Sequence, residues 1–319
     1  MTRVTVLLSG AGTLGSRHLQ GLARCAVPLD IHVHDIFPDS LRTSQARWND
    51  VENLNADHQV FLHNNFEALP LKVDIAVIAT TANVRHEVVA EIVSRCSVKY
   101  WILEKVLACS EENLDQILTR IGDLKNAWVN TPRRSLPWHS EIKAALGKGQ
   151  VMTMKVEGGA WGLGCNSIHF LDMFAWWTGE TLVEIETNGL DTKWIQAKRA
   201  GNMEVMGTLG ARFSGGSRVQ LTAQPGNVYY NFELNDGSYI WHIDEVGGTC
   251  LRSDGLSIPG HIPYQSEVTG ELIELLVKKG TCQLPSLEVS AQMHRVYLHA
   301  LLKHWQLNVS PSAKLVPIT

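Results

Sequence analysis

The sequence predicts an α/β protein in two parts: a parallel sheet wound in βαβ units, then an α+β part with a mostly antiparallel sheet. Three observations predict this fold. Strand and helix patterns alternate through the first third of the chain, whereas strand patterns separated by turn residues dominate after residue 150. The length of 319 residues also favours two domains, since a domain has roughly 100–200 residues. We place the domains at residues 1–127 and 128–319.

The predicted strands of the first part are short, apolar and rich in β-branched residues, as buried parallel strands are. They lie at 4–8, 31–33, 73–79 and 100–103. Helical patterns follow the strands at 16–25, 41–53, 85–95 and 110–125. The last helix begins with Ser110, a favoured N-cap residue, and two acids follow it in the first turn, where the helix dipole stabilises negative charge. This alternation indicates βαβ units.

The second part begins after the segment 131–137, which contains two prolines and is followed by a predicted helix ending near residue 146. Its strand patterns lie at 151–156, 182–187, 205–213, 218–223, 229–234 and 239–243. Turn residues at 215–216 and 235–237 predict hairpins, which make antiparallel neighbours. Three more helices are predicted at 166–177, 266–278 and 285–305.

Composition and charge exclude several classes of protein. The 45% hydrophobic content is too high for a disordered chain. The 28 basic and 32 acidic residues, with a net charge of −4, give no reason to expect a nucleic-acid partner. The six cysteines are scattered, as reduced thiols of a cytosolic protein are, and no apolar run approaches the ~18 residues of a membrane span. We expect a soluble, cytoplasmic protein without a membrane partner.

A glycine motif, Gly-Ala-Gly-Thr-Leu-Gly at residues 10–15, follows the first strand and opens the first helix. This is the context in which such a motif binds a dinucleotide. Gly10 permits a tight turn, Gly12 lets a pyrophosphate approach the backbone, and Gly15 lets helix and strand pack closely. The helix N-terminus then offers free N–H groups to the phosphates. We predict that Gly10, Gly12, Thr13 and Leu14 bind the cofactor; the alternative is a glycine turn without a ligand.

Asp35 ends the second strand, close to the ~20-residue offset of an acid that binds the adenosine ribose. A carboxylate there accepts hydrogen bonds from both ribose hydroxyls and repels a 2′-phosphate, which favours NAD over NADP. Arg42 lies further along and offers a charge that could bind a phosphate. The alternative for Asp35 is a turn acid before Pro38.

Further motifs carry a family resemblance. They are Ala-Thr-Thr-Ala-Asn-Val-Arg-His at 79–86, Leu-Glu-Lys-Val at 103–106, Arg-Ser-Leu-Pro at 134–137, and the stretch from Gly162 to Asp172. Together with the glycine motif, this succession resembles the glucose–fructose oxidoreductase/inositol dehydrogenase (Gfo/Idh/MocA) family over almost the whole chain. The resemblance implies an N-terminal Rossmann domain and a C-terminal domain on an open, mostly antiparallel sheet. It also implies an NAD(P)-dependent dehydrogenase that forms a homodimer or homotetramer.

The resemblance assigns the chemistry to Lys105 and His169. The family's Glu-Lys-Pro motif stands here as Glu104-Lys105-Val106. Lys105 would orient the substrate hydroxyl and stabilise the developing alkoxide, and Glu104 would hold the lysine or the nicotinamide carboxamide. The alternative is an ordinary ion pair at a strand end.

His169 and Asp172 match the His-x-x-Asp part of the family's second motif, and three residues apart on a helix they face the same way. His169 would be the general base, and Asp172 would bind a substrate hydroxyl or orient the histidine. Many relatives have an aspartate where this chain has Cys165, which cannot serve as a carboxylate relay; we assign the adjacent Asn166 to substrate binding. The alternative for His169 is a packed helix histidine.

Thr80, Asn83 and His86 match the family segment that lines the cofactor between adenosine and nicotinamide, while Thr80 or Thr81 could also cap the following helix. Arg133 and Arg134 could bind a substrate phosphate or carboxylate, or pair with acids at the domain interface. No cluster with metal-ligand spacing is present in the sequence, so no metal site is predicted.

The function implied by the resemblance is oxidation or reduction at a secondary alcohol of a sugar, polyol or nucleotide sugar, with NAD as cofactor. The segment 284–290 resembles family members linked to bacterial surface-polysaccharide biosynthesis, which favours a nucleotide sugar. Two alternatives stay open: a catabolic inositol or sugar dehydrogenase, and a regulator that binds the cofactor without turnover.

Overall fold

The structure is a computed structural model that describes residues 3–147 and 149–319. It forms two compact units. The first unit comprises the chain up to Ala108, Asn113–Asn130 and Pro263–Glu288. The second unit comprises Cys109–Glu112, Thr131–Ile262 and Val289–Thr319. The predicted domains, 1–127 and 128–319, are each one continuous stretch, whereas each compact unit combines separate segments of the chain. The predicted division stays a prediction.

The strands and helices are as follows. The strands are β1 (Val4–Ser9), β2 (Leu29–His34), β3 (Gln59–His63), β4 (Lys72–Ile78), β5 (Ser97–Glu104), β6 (Ala127–Asn130), β7 (Thr153–Gly158), β8 (Leu182–Gln196), β9 (Met203–Phe213), β10 (Arg218–Ala223), β11 (Tyr230–Asn235), β12 (Ile240–Asp244) and β13 (Thr249–Arg252). The helices are α1 (Thr13–Leu22), α2 (Pro38–Asn49), α3 (Arg85–Arg95), α4 (Glu111–Ile121), α5 (Pro137–Ala145), α6 (Leu163–Thr178), α7 (Gln265–Lys279) and α8 (Leu287–Asn308).

The sheet of the first unit has six strands in the order β3-β2-β1-β4-β5-β6, and every pairing is parallel. All its strands therefore end at one edge, where the loops carry the candidate residues. Buried side chains of β1 and β2 pack against α1, and Ile273 and Leu276 of α7 join the same core. The close approach of α7 to α1 requires glycine, because a Cβ on Gly21 would lie 2.8 Å from Thr269 Cβ.

The sheet of the second unit has seven strands in the order β13-β12-β11-β7-β10-β9-β8. Only the pair β7–β10 is parallel among these neighbours, so the predicted mostly antiparallel sheet is confirmed. The predicted turns at 215–216 and 235–237 join the antiparallel pairs β9–β10 and β11–β12. Helix α6 packs on β9 and β10.

Several predicted element limits differ from the structure, and three of them differ for an identifiable reason. The helix predicted over 110–125 ends at Ile121, because Gly122 adopts a left-handed conformation (φ +70°) that terminates a helix. The helix predicted over 41–53 begins at Pro38, since proline suits the first helical turn. Strand β8 extends to Gln196 rather than 187, with register shifts against β9 that a short apolar pattern does not reveal.

Among the described residues, no helix has the length and apolarity that a bilayer span needs.

Candidate functional site

Of the three glycines in the turn between β1 and α1, Gly12 is the one whose backbone is open. Gly10 has φ +96°, and a Cβ there would lie 2.7 Å from the backbone nitrogen of Thr80. A Cβ on Gly15 would lie 1.7 Å from the Gly10 carbonyl oxygen, so the helix packs directly on the turn. A Cβ on Gly12 would meet nothing within 4 Å. The turn is therefore closed on the protein side and open at Gly12.

The start of α1 also lacks the usual cap. Its N-cap residue is Gly12, no side chain caps it, and its first turn has no acidic residue. The first N–H groups of a helix have no partner within the helix. Here they surround the open point at Gly12, where Thr13 and Leu14 begin the helix, an arrangement suited to an anion.

Asp35 is fixed beside this turn. Its Oδ2 accepts a hydrogen bond from the Ala11 backbone nitrogen at 2.7 Å, and its Oδ1 accepts one from the Phe37 backbone nitrogen at 2.9 Å. The carboxylate thus joins the end of β2 to the glycine turn. Arg42 is instead paired with Asp39 on the exposed side of α2.

The loop after β4 contributes two buried polar atoms without hydrogen-bond partners. Thr80 Oγ1 and His86 Nδ1 have none within the described part of the chain, although both are shielded from solvent. Asn83 lies between them and is exposed. The N-cap of α3 is Val84, so the prediction that Thr80 or Thr81 caps this helix is wrong. Buried polar atoms are normally paired, so these two point to an absent partner.

Glu104, at the end of β5, faces the interior of the first unit. It is 3% exposed and accepts hydrogen bonds from His18 Nε2 at 2.9 Å and from Asn130 Nδ2. Burial alone would raise the pKa of Glu104, but the bonds from His18 and Asn130 and the charges of His18 and Lys105 hold that pKa below its ordinary value. Glu104 therefore anchors the chain immediately before Lys105, and the Lys105–Val106 peptide bond is cis.

In the second unit, the first half of α6 presents two predicted residues, Asn166 and His169, on one partly exposed face. Cys165 lies beside Asn166 and is also partly exposed, His169 follows about one helical turn later, and the other residues of this half of the helix are buried. Glu204 of β9 accepts hydrogen bonds from the backbone nitrogens of Gly164 at 2.7 Å and Cys165 at 3.1 Å. This carboxylate holds the start of the helix that carries His169.

Asp172 lies on the buried side of α6 and is 1% exposed. It accepts hydrogen bonds from Arg134 Nε at 2.9 Å, Arg134 Nη2 at 2.5 Å and Thr131 Oγ1 at 2.9 Å. Its two oxygens thus hold the guanidinium of Arg134 bidentately. Asp172 and Arg134, both predicted to bind substrate, bind each other.

Arg133 is held in the same way by Glu245. Its Nε and Nη2 donate to the two carboxylate oxygens at 2.8 and 2.6 Å, and its guanidinium carbon lies 4.4 Å from the centre of the Phe170 ring. His139 Nε2 and Tyr230 Oη also bond to Glu245, at 2.9 and 2.7 Å. Burial opposes ionisation of Glu245, but Arg133 and His139 hold its pKa well below the ordinary value. Of the two roles predicted for the arginine pair, pairing with acids is the one present.

Several residues of these arrangements are absent from the sequence prediction. They are His18, Asn130, Glu204 and Glu245. No local motif marks them, since their partners are distant in sequence: Glu104 is 86 residues from His18, and Glu245 is 112 residues from Arg133. Among the described residues, no group of three or more histidine, cysteine or acidic side chains is placed to hold a metal ion.

Comparison with known proteins identifies the fold. No family sequence model and no curated protein matches this sequence. Among solved structures, scyllo-inositol dehydrogenase from Lactobacillus casei with bound NAD(H) and scyllo-inositol aligns with a TM-score of 0.67 at 14% identity, over 96% of this chain and 98% of that one. This chain has the fold of that dehydrogenase.

Two other solved structures support the same fold. An oxidoreductase from Agrobacterium radiobacter in complex with NAD+, L-tartaric acid and magnesium has a TM-score of 0.70 at 14% identity, over 95% of this chain and 96% of that one. The UDP-N-acetylglucosamine 3-dehydrogenase from Acidithiobacillus ferrooxidans has a TM-score of 0.67 at 15% identity, over 97% and 98%. The predicted fold, a Rossmann domain with a second, mostly antiparallel domain, is confirmed.

Proposed function

We propose that this protein is an NAD-dependent dehydrogenase of the Gfo/Idh/MocA family that acts on a CH–OH group of a sugar, polyol or nucleotide sugar. The observation that carries the proposal is the arrangement around Gly12: open backbone, an uncapped helix start and the carboxylate of Asp35 beside it. The solved structures of the same fold include dehydrogenases bound to NAD(H).

The residues of the first unit fit this cofactor. The backbone at Gly10, Gly12, Thr13 and Leu14 would bind the pyrophosphate, and Asp35 would accept the ribose hydroxyls. Thr80 Oγ1 and His86 Nδ1 are shielded from solvent and have no hydrogen-bond partner among the described residues, which supports a ligand beside them. Asn83, which lies between these residues in sequence, is exposed. When bound, NAD would supply the acceptor for the hydrogen that leaves the alcohol carbon.

Lys105 and His169 would manage the proton of the reacting hydroxyl. Lys105 would stabilise the negative charge that develops on the alcohol oxygen, and Glu104, fixed by His18 and Asn130, would hold the chain that carries it. His169 would accept the hydroxyl proton as a general base. Cys165 occupies the position of the family carboxylate, so this base would work without a carboxylate from that position.

A second observation bears on the substrate. Arg133 and Arg134 each form an ion pair with a buried carboxylate, so each pair has no net charge and its guanidinium is already occupied. This favours an uncharged sugar or polyol, as in the catabolic alternative, over the nucleotide sugar of a surface-polysaccharide pathway. We further propose a cytoplasmic homodimer or homotetramer.

The experiment that separates an enzyme from a cofactor-binding regulator uses three proteins: wild type, Lys105→Ala and Lys99→Ala. Lys99 is an exposed residue of the same strand, β5, and serves as the matched control. We expect wild type and Lys99→Ala to form NADH with at least one member of a panel of inositols, sugars and nucleotide sugars. Lys105→Ala should bind NAD but lose at least about a hundredfold in turnover. NAD binding without turnover in wild type, across the panel, would favour the regulator.

A further inference from the structure

Arg85 is a fully buried arginine that donates hydrogen bonds to backbone carbonyls of two loops. It is the first residue of α3 and is 1% exposed. Its Nη1 donates to the carbonyl oxygens of Val106 and of Leu107, the latter at 3.1 Å. Its Nη2 donates to the carbonyl oxygen of Thr80. One guanidinium therefore joins two loops of the first unit.

These carbonyls lie beyond the hydrogen-bonded part of the sheet. The pairing between β4 and β5 runs as far as Ile78 with Leu103, and the chain then continues through Thr80 on one side and Val106 on the other. Buried carbonyl oxygens without donors are costly. The rigid fork of a guanidinium, with its five N–H donors, can serve several of them at once, which a lysine ammonium with three rotatable donors does less well.

The two loops are the ones to which the proposed function assigns the cofactor and the reacting hydroxyl. Thr80 opens the loop after β4, and Lys105 stands between two anchored segments. Before Lys105, Glu104 is held by His18 and Asn130. After it, the chain is held by Arg85.

We propose that Arg85 is a positioning residue that fixes the loop after β4 and the segment after β5 relative to each other, and so couples the cofactor-binding loop to Lys105. The coupling between loops follows from the hydrogen bonds alone; its consequence for NAD rests on the proposed function. Arg85 acts through backbone carbonyls of both loops, and the proposal assigns it no contact with substrate.

Two substitutions and one control test the coupling. Arg85→Met keeps the length of the side chain and removes all donors, whereas Arg85→Lys keeps the charge and part of the donors. Arg95→Met makes the same change at the other end of α3, where the arginine is partly exposed and pairs with Glu91. Hydrogen exchange is followed in peptides covering 76–89 and 102–109, with 218–223 of the second unit as internal reference.

We expect Arg85→Met to accelerate exchange about tenfold in both loop peptides and to leave the reference peptide unchanged. Arg85→Lys should restore most of the protection, and Arg95→Met should match wild type. Faster exchange in only one loop, or in neither, would overturn the coupling. Equal acceleration in all peptides, including the reference, would show a general loss of stability and would also overturn it.

The consequence for the cofactor is measured separately, by calorimetric titration with NAD. We expect the Kd of Arg85→Met to rise about tenfold and that of Arg85→Lys to stay within roughly threefold of wild type. An unchanged Kd in Arg85→Met, with both loops loosened, would overturn the link to the cofactor. If wild type binds no NAD, the proposed function fails, while the exchange result still decides the coupling.

Discussion

Three buried carboxylates, Glu104, Asp172 and Glu245, each accept hydrogen bonds from at least two side chains. Removing one partner from such a group leaves an uncompensated buried charge, which costs more than the pair contributes. At the scale of single residues, we expect Glu104 and Glu245, whose pKa values are lower in the folded protein, to make stability fall in acid. Burial raises the pKa of Asp172 in spite of Arg134, so this carboxylate acts in the opposite direction. We expect Asp35, half-exposed at the turn, to govern the choice of cofactor.

Glu245 should make the second unit sensitive to acid. Its pKa is lower in the folded protein than in the unfolded chain, so its stabilisation is complete above the ordinary glutamate pKa of about 4.3 and is lost as the pH falls below it. We expect Glu245→Gln to cost about 3–5 kcal/mol of unfolding free energy at neutral pH, and less as the pH approaches about 3. Urea unfolding at several pH values measures this.

The matched control is Glu233→Gln on β11, a partly exposed residue of the same unit whose ion pair with His242 lies at the surface. Its effect should be small and nearly independent of pH, since surface ion pairs contribute little. A difference between wild type and Glu245→Gln that stays constant from neutral to acidic pH would contradict the assignment.

Asp35→Asn replaces one carboxylate oxygen with an amide nitrogen and so tests whether this carboxylate sets the preference for NAD over NADP. The amide oxygen can still accept the bond from the Ala11 backbone nitrogen, whereas the amide nitrogen cannot accept the bond from Phe37, so the variant loses the charge and one local hydrogen bond. We expect the Kd for NAD to rise about tenfold, the value of a charge-assisted hydrogen bond of about 1.5 kcal/mol, and the preference over NADP to shrink. Calorimetric titration with both cofactors gives the result, and Asp39→Asn, exposed on α2, is the control. A variant with unchanged discrimination would remove Asp35 from the site.

At the scale of elements, two glycines of the β1–α1 turn have different roles: Gly15 allows close packing, and Gly12 is proposed to face the cofactor. Gly15 is needed because the helix lies against the turn, whereas a methyl group at Gly12 would meet no protein atom within 4 Å. Gly12 also has an ordinary φ of −64°, so alanine fits its backbone. The two glycines should therefore respond differently to the same substitution.

We expect Gly12→Ala to change the unfolding free energy by no more than about 1 kcal/mol and yet to weaken NAD binding about a hundredfold, because the methyl group fills the place of the pyrophosphate. Gly15→Ala should lose both stability and binding. Thermal unfolding without cofactor and calorimetric titration with NAD measure the two effects. Tight NAD binding by Gly12→Ala would place the cofactor elsewhere.

The sequence pattern predicts the elements with strong periodicity and misses those without it. Helix α3 has its predicted bounds, 85–95, and β10 its predicted bounds, 218–223. Strands β3, β6 and β13 are absent from the prediction: β3 is an edge strand with mostly exposed side chains, and β6 and β13 have only four residues each. Their formation depends on pairing with β2, β5 and β12, a tertiary effect that local patterns do not contain.

At the scale of the whole molecule, the sequence motifs predict which loops carry the candidate residues but not their partners. Gly12 and Asp35 lie together because β1 and β2 are neighbours in a parallel sheet, which the βαβ pattern implies. The ion pair of Arg133 with Glu245 could not be predicted, since nothing local links residues 112 positions apart. In the proposed function, the ion pairs of Arg133 and Arg134 also shift the expected substrate from a nucleotide sugar to an uncharged sugar or polyol.

A substrate panel tests this change. With NAD saturating, we expect kcat/KM for the best uncharged sugar or polyol to exceed that for the best nucleotide sugar by about tenfold or more, because the guanidinium groups of Arg133 and Arg134 are already paired with buried carboxylates. Initial rates of NADH formation provide the values. A nucleotide sugar as the best substrate would contradict the inference from the two ion pairs.

The central claim is that the first unit binds NAD, and calorimetric titration of the wild-type protein with NAD and with NADP tests it most directly. The account predicts saturable binding of one NAD per chain, with a Kd at least about tenfold lower than that for NADP. No binding of NAD, or tighter binding of NADP, would contradict it.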